Sequence, residues 1–354
     1  MHLLKRNIAY LLGLALILLT TQSCNKEFED ITANPTPTPG TTAGAFIETD
    51  ANYSILKAAV MRAGLLDVLK NTGNKLTVFA PDDAAFTASG LTLAVVNALP
   101  VSQLQSILSY HIIPQSLPAA QIPTTFPNVQ MPSLLPLPGN NPFVKMNIFP
   151  SRRNNSVFVN NIPVTQTDIA VGNGVIHKVA RVVAPPSMLL AQIIATDADL
   201  SFFRAAITRA DEGQTGLNRI DSIMKFGVAS VTVFAPGNDA FKQLLAGFGL
   251  PESETSFSLL PVQTVRAIVA YHILGSRAFS VNMPTTATFI PTLLNGAIPN
   301  HPGVNVQATF TGPVVSSLKV TGVGNRGVSS NAVTRDIHAV NGVIHKIDQV
   351  LLPQ

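Results

Sequence analysis

Two tandem domains of mixed α and β structure are what this sequence predicts, on three observations. The first is an exact repeat: Asn173-Gly-Val-Ile-His-Lys178 returns unchanged as Asn341 to Lys346. A chance six-residue identity in a chain this long has a probability of about one in a thousand. The second is that further landmarks repeat in the same order. Thr77-Val-Phe-Ala-Pro81 recurs as Thr232 to Pro236, Tyr110-His111 recurs as Tyr271-His272, and Pro132-Ser-Leu-Leu135 is echoed by Pro291-Thr-Leu-Leu294. The third is composition. Of 354 residues, 46% are apolar and 12% charged, Trp is absent, and 26 Pro and 23 Gly punctuate the chain. That balance suits turn-rich β structure better than a helical bundle, and the length suits two domains, each with its own core.

At the N-terminus, Lys5 and Arg6 precede an uncharged apolar run from Ile8 to Leu19. Roughly 12 apolar residues match a signal-peptide core and are too few to span a bilayer. The run ends at Thr21-Gln22-Ser23-Cys24, which resembles a bacterial lipobox, and Cys24 is the only cysteine. A lone cysteine in an exported chain has no disulfide partner, so acylation of Cys24 and removal of residues 1–24 as a lipoprotein signal are expected. The acidic tract Asn25 to Asp30 looks like a signal for the outer surface of some Gram-negative cells. Thr32 to Ala45 has the Pro/Thr/Gly composition of an extended tether, so residues 25–45 are assigned to a linker of some 40 Å at ~3 Å per residue.

The first domain is expected over 46–186. Ile55, Leu56, Ala59, Val60 and Ala63 follow helical spacing, Gly64 interrupts, and Leu65 to Leu69 continue the apolar run, which predicts two short helices. Leu76 to Ala80 predicts a buried strand closed by Pro81. Asp82 or Asp83 is placed to cap the next helix, with Asn238 at the matching place in the second unit. Ser102 is the expected cap of a helix whose Leu104, Ile107, Leu108 and His111 share one face; Val265, Ile268, Val269 and His272 reproduce that face. Strand patterns follow at Val144 to Phe149, Val157 to Val159 and Asp168-Ile169, and Asn173-Gly174 signals a tight hairpin. Unit one ends at Ala184-Pro185-Pro186 and unit two at Leu352-Pro353, so the second domain is expected over 187–354. Each is expected to fold alone across a modest interface, with Asp211 to Asn218 as an exposed loop.

Chemistry is sparse. Without Lys5 and Arg6 the chain has 21 basic and 19 acidic residues, a balance of +2 that leaves no nucleic-acid footprint. Gly322-Val-Gly-Asn-Arg-Gly327 formally matches a dinucleotide fingerprint, but no helix pattern follows it and Val314 to Val333 reads as strand, turn and strand, which argues against a nucleotide. There is no Gly-x-Ser-x-Gly elbow and no His-Glu-x-x-His, so no catalytic residues and no cofactor are assigned. Histidines 111, 177, 272 and 345 lie on apolar helix faces or alternate with valines on strands, which favours hydrogen-bonded structural roles. Asp168 and Asp336 precede the hairpin in both units and are expected to bond backbone amides there.

The ordered set of Phe-Ala-Pro with a following Ala-Phe, then Tyr-His, then Asp-Ile with Asn-Gly-Val-Ile-His resembles the fasciclin domain (FAS1), and both units carry it. The resemblance implies an α+β fold, a compact wedge of antiparallel strands with several short helices, placed outside the cell. It implies adhesion to cells, matrix proteins or polysaccharides and not catalysis, and it singles out Tyr110, His111, Tyr271 and His272 as adhesion-motif candidates. With the leader, this gives an expected function: a lipoprotein held on the outer membrane by its lipid and exposed at the cell surface, recognising an extracellular protein or polysaccharide. The rivals are a surface carrier or accessory protein for a small ligand or glycan, and behind it a hydrolase using the repeated His and Asp. A last expectation concerns register. If Asn341-Gly342 is a two-residue turn, His338 faces His345, a weak candidate pair for a divalent metal.

Overall fold

The computed structural model describes residues 40–124, 126–137, 139 and 142–354, so the leader, Cys24 and the tether up to residue 39 lie outside the described residues. Residues 41–354 form one compact unit. The first repeat opens with short helices α1 (Ala43–Thr49), α2 (Ser54–Arg62) and α3 (Leu66–Lys70). Helix α2 buries Ile55, Leu56, Ala59 and Val60, the predicted stripe, and Gly64 breaks the run with a φ of +68° that residues with a Cβ rarely adopt. Next come β1 (Leu76–Pro81), α4 (Asp83–Ala88), α5 (Leu93–Ala98), α6 (Val101–Tyr110) and β2 (Ile112–Ile113). The repeat ends in strands β3 (Met131–Pro136), β4 (Lys145–Ile148), β5 (Pro150–Arg153), β6 (Ser156–Val159), β7 (Ile162–Val171) and β8 (Gly174–Val179).

The second repeat runs through α7 (Leu190–Thr196), α8 (Ser201–Ala210), α9 (Ile220–Lys225), β9 (Val231–Pro236), α10 (Asn238–Gly247), α11 (Val262–Tyr271) and β10 (Ile273–Leu274). Strands β11 (Thr288–Ile290), β12 (Val304–Thr311), β13 (Val314–Thr321), β14 (Ser330–Ala339) and β15 (Gly342–Ile347) complete it. Each repeat builds its own sheet, in the order β2-β1-β8-β7-β6-β5 and β10-β9-β15-β14-β13-β12-β11, with β3 and β4 as a separate pair. Neighbours are antiparallel except at the centre, where β8 lies parallel to β1 and β15 parallel to β9. These central strands are buried on both faces. Val78 and Ile176 enter the helical layer with Leu56 and Leu104, whereas Phe79 and Val179 enter the opposite layer with Tyr110 and Ile148.

Several local expectations are corrected. The segment assigned to the tether is already folded at its end, because Thr42 caps α1 and Asn173 Oδ1 accepts from Ala43 N at 2.8 Å. Ser102 is not a cap; Pro100 sits at the N-cap with φ −57° and no side-chain bond. Asp82 does cap α4, accepting from Ala85 N, but Asp83 and Asn238 cap the neighbouring helices α2 and α8, through Ile55 N and Phe202 N. In the loop from Asp211 to Asn218, Asp211 is buried and accepts from Ile220 N and Asp221 N while the rest is largely exposed. As expected, Gly322 to Gly327 is a turn between two strands; a Cβ on Gly324 would overlap the backbone of Gln354.

Candidate functional site

The six-residue repeat owes its composition to contacts on every side. Asn173 Oδ1 holds the start of α1 while its Nδ2 donates to Leu69 O and Asn71 O at the end of α3. Asn341 does the same for Leu190 N and for the carbonyls of Ile223 and Met224. Glycine follows because a Cβ at 174 would overlap Leu76 O, and one at 342 would lie 2.6 Å from Val231 O. The closing lysines reach carboxylates beside the next helix: Lys178 Nζ is 2.6 Å from Asp82, and Lys346 Nζ is 2.7 Å from Asp199.

Both rings of the repeated histidine motifs bond backbone on each side. Asp168 N–H donates to Nδ1 of His177, whose Nε2–H donates to Leu117 O at 2.9 Å; His345 makes the same bonds with Asp336 N and Ala278 O. Asp168 and Asp336 have left-handed backbones, φ 59° and 62°, at irregularities in β7 and β14, and their carboxylates accept from Ala119 N and Ser280 N. In the helical motif the tautomer is reversed. His111 Nδ1–H donates to Ile107 O and Nε2 accepts from Val183 N, and His272 pairs likewise with Ile268 O and Leu351 N. Each ring is neutral, because protonation would turn its accepting nitrogen into a donor facing an amide N–H. Burial holds His111 and His272 down to about 4 and depresses His177 and His345 as well.

The adhesion-motif candidates Tyr110, His111, Tyr271 and His272 are therefore core residues, none more than 2% exposed. Tyr110 Oη donates to Asn147 O and Tyr271 Oη to Gly303 O, so each Tyr-His pair ties the end of a helix to a strand segment and to the chain's exit. A macromolecule docking on the folded protein does not touch them.

The proposed His338–His345 pair is also corrected. Ala339 closes the hairpin against Gly342, so the turn is Val340-Asn341 and His338 faces Val343. The first repeat shows the same one-residue shift, with Ala170 opposite Val175. The asparagine side chain is committed to two helices, which fixes Asn341 within the turn, and neither asparagine takes the left-handed backbone of an Asn-Gly type I′ turn. His345 has both ring nitrogens engaged, and no cluster of three metal-ligating side chains occurs among the described residues.

His338 belongs instead to the junction between the repeats. Its Nε2 accepts from Arg277 Nη1 at 3.0 Å, and its ring meets Phe279 at 5.1 Å and Phe149 of the first repeat at 6.2 Å. Arg277 is buried, donates to Ala339 O and Val340 O, lies 4.5 Å from the Phe149 ring centroid, and has no carboxylate partner among the described residues. Burial lowers its pKa to about 10, and burial together with Arg277 pushes His338 well below the usual histidine range. Asn128 Oδ1 accepts from Phe279 N, and Arg153 donates to Val281 O and Met283 O across the same boundary. Phe149 and Phe158 are buried in the second repeat's core, so the junction includes aromatic side chains of one repeat packed inside the other. The repeat itself held the signal: Arg277, Phe279 and His338 stand where the first repeat has Ser116, Pro118 and Ala170.

Comparison with known proteins gives the Fasciclin domain profile twice, over residues 51–185 and 198–353. Similar chains include the porcine transforming growth factor-beta-induced protein ig-h3, 34% identical over 154 residues, covering 43% of this chain and 20% of that one. Human periostin is 28% identical over 217 residues, 58% of this chain and 22% of its own. Protein sll1483 of Synechocystis is 33% identical over 136 residues, 38% of this chain and 68% of its own. The match thus spans about a fifth of the two animal chains. Among solved structures, the FAS1 domain pair of the insect cell adhesion molecule Fasciclin I aligns at 16% identity and TM-score 0.37, covering 83% of this chain and 95% of that one.

Proposed function

This chain belongs to the fasciclin domain family, carrying the domain twice, and from that premise we propose that it is a surface-anchored lipoprotein that recognises an extracellular macromolecule. Fasciclin domains are typically adhesion or binding modules of secreted proteins and are not enzymes. The observation that carries the proposal is the double match over most of the chain, joined to an N-terminal apolar run from Ile8 to Leu19 shortly followed by the single cysteine, Cys24. The buried histidines support a binding role over a hydrolytic one, since all four repeated rings have both nitrogens committed to backbone groups. No helix among the described residues is long and apolar enough to cross a membrane, and in this proposal Cys24 holds the protein at the outer membrane. Acyl chains contribute about 0.8 kcal/mol per buried CH₂, so two or three give stable anchoring.

Two measurements test it. Intact-mass spectrometry of the native protein should show acylation at Cys24, and Cys24→Ser should release or misprocess the chain; a lipid-free wild type refutes the anchor. The full chain applied to a glycan array and a panel of matrix proteins should show saturable binding to at least one component, and absence of any binding refutes recognition.

A further inference from the structure

Where the repeats part beyond their shared core, they leave a cleft of about 590 Å³. One wall is the end of edge strand β5 and the turn after it, with Arg152, Arg153 and Asn154; the other carries Asn282 and Thr285, and Phe126 adds an aromatic ring. No acidic residue lines it among the described residues. Arg153 is the structural member of the pair, spending Nη1 on Val281 O and Met283 O with its guanidinium 3.8 Å from the Phe310 centroid. Arg152 is different. It is half-buried, its one side-chain bond is a long 3.4 Å contact from Nε to Ile122 O, and its two terminal nitrogens donate to no group among the described residues.

A partly desolvated guanidinium without a counter-ion is an incomplete arrangement, and its planar fork matches the paired oxygens of a carboxylate or sulfate. Beside the largely covered Val281 and Met283 and the ring of Pro284, the remaining lining is amide and hydroxyl groups, which exchange hydrogen bonds with a hydroxyl-rich ligand, and one aromatic. A protein partner would instead need the fully buried apolar and aromatic centre on which such interfaces depend, and the lining offers no such patch. The volume falls in the range of ligand sites, roughly 300–1,000 Å³. We propose that this cleft binds an acidic polysaccharide, with Arg152 taking a uronate carboxylate or a sulfate ester and Asn154, Asn282 and Thr285 bonding the neighbouring hydroxyls. The proposal rests on the binding role above and names its site and ligand class.

The test uses the full chain in detergent against immobilised polygalacturonate, dextran sulfate, uncharged dextran and polyglutamate. Saturable binding to polygalacturonate or dextran sulfate is expected, absent on dextran, weakened by salt, and reduced at least about tenfold by Arg152→Gln. Arg152→Lys should retain part of the affinity, and both variants should melt with the wild type, because Arg152 makes only one long bond. The two acidic glycans distinguish carboxylate from sulfate as the anchor. Equal binding by wild type and Arg152→Gln, or binding to neither acidic glycan, overturns the proposal. Polyglutamate binding that matches the glycans and is lost in Arg152→Gln overturns the polysaccharide assignment in favour of an acidic peptide. If the chain binds a neutral glycan or matrix protein and Arg152→Gln does not change it, the binding role stands and the cleft fails.

Discussion

Histidine is the residue on which this fold depends most visibly. His272 accepts from Leu351 N and donates to Ile268 O inside the core, so His272→Leu leaves a buried amide without an acceptor. Chemical denaturation at pH 7.5 should show a loss of about 2–4 kcal/mol, and a loss below about 0.5 kcal/mol refutes the role. The same residues make the protein acid-sensitive. His111 and His272 sit at about 4 when folded, whereas an unfolded histidine titrates near ~6.5, so between those values the native state binds fewer protons. Their stabilisation is complete above about pH 6.5 and is lost progressively as pH falls towards 4, at up to ~1.4 kcal/mol per pH unit for each. His272→Leu should flatten the melting temperature between pH 6.5 and 4 relative to wild type; parallel profiles would contradict this. The sequence placed these rings on apolar faces correctly, but the backbone amides that donate to them lie 72 and 79 residues away, beyond any local pattern.

At the level of elements, the hairpin joining the last two strands of each repeat is also the anchor for its first helix. Asn341→Ala should release both Leu190 N–H and the end of α9, costing about 2–4 kcal/mol in a denaturation midpoint analysis. Gly174→Ala should cost more than Gly342→Ala, about 3 kcal/mol or above. Gly174 combines φ +141° with overlap against Leu76 backbone, whereas the Gly342 clash falls partly on the movable end of Leu190. Equal effects would mean that the strand pair yields more easily than its geometry indicates. The helices α2 and α3 and the strands β1 and β9 were legible, because burial of a helix stripe or a whole strand writes itself into apolar spacing. The hairpin register was not. Asn-Gly is a local turn signal, but here the asparagine answers to two distant helices and moves the turn by one residue.

For the whole molecule, Phe149 is the measure of coupling. It is buried among Phe279, His338 and Arg277, all from the other repeat. Calorimetry of the wild type should give one cooperative transition. Phe149→Ala, costing about 3–5 kcal/mol, should separate it into two or lower the transition of the second repeat. Residues 187–354 expressed alone should melt below their temperature in the full chain, since Arg277 and Phe279 are then exposed to water. Equal melting alone and in the pair would make the junction energetically neutral.

The internal repeat, the mixed helix-and-strand content and the buried character of the central strands were determined by the sequence itself, because identity and apolar period are properties of neighbouring residues. Tertiary structure alone decided what the repeated polar residues do. Spacing put His111 on an apolar face but left Tyr110 without a side, and only the packing of α6 against β4 and the Val183 segment encloses both and gives each its partner. The same holds for the arginines. Arg152 and Arg153 are adjacent in sequence and identical in type, yet one is bonded across the junction and the other opens into a cleft. That difference arises because the cleft is formed by surfaces about 130 residues apart, brought together by the docking of Phe149 onto the second repeat.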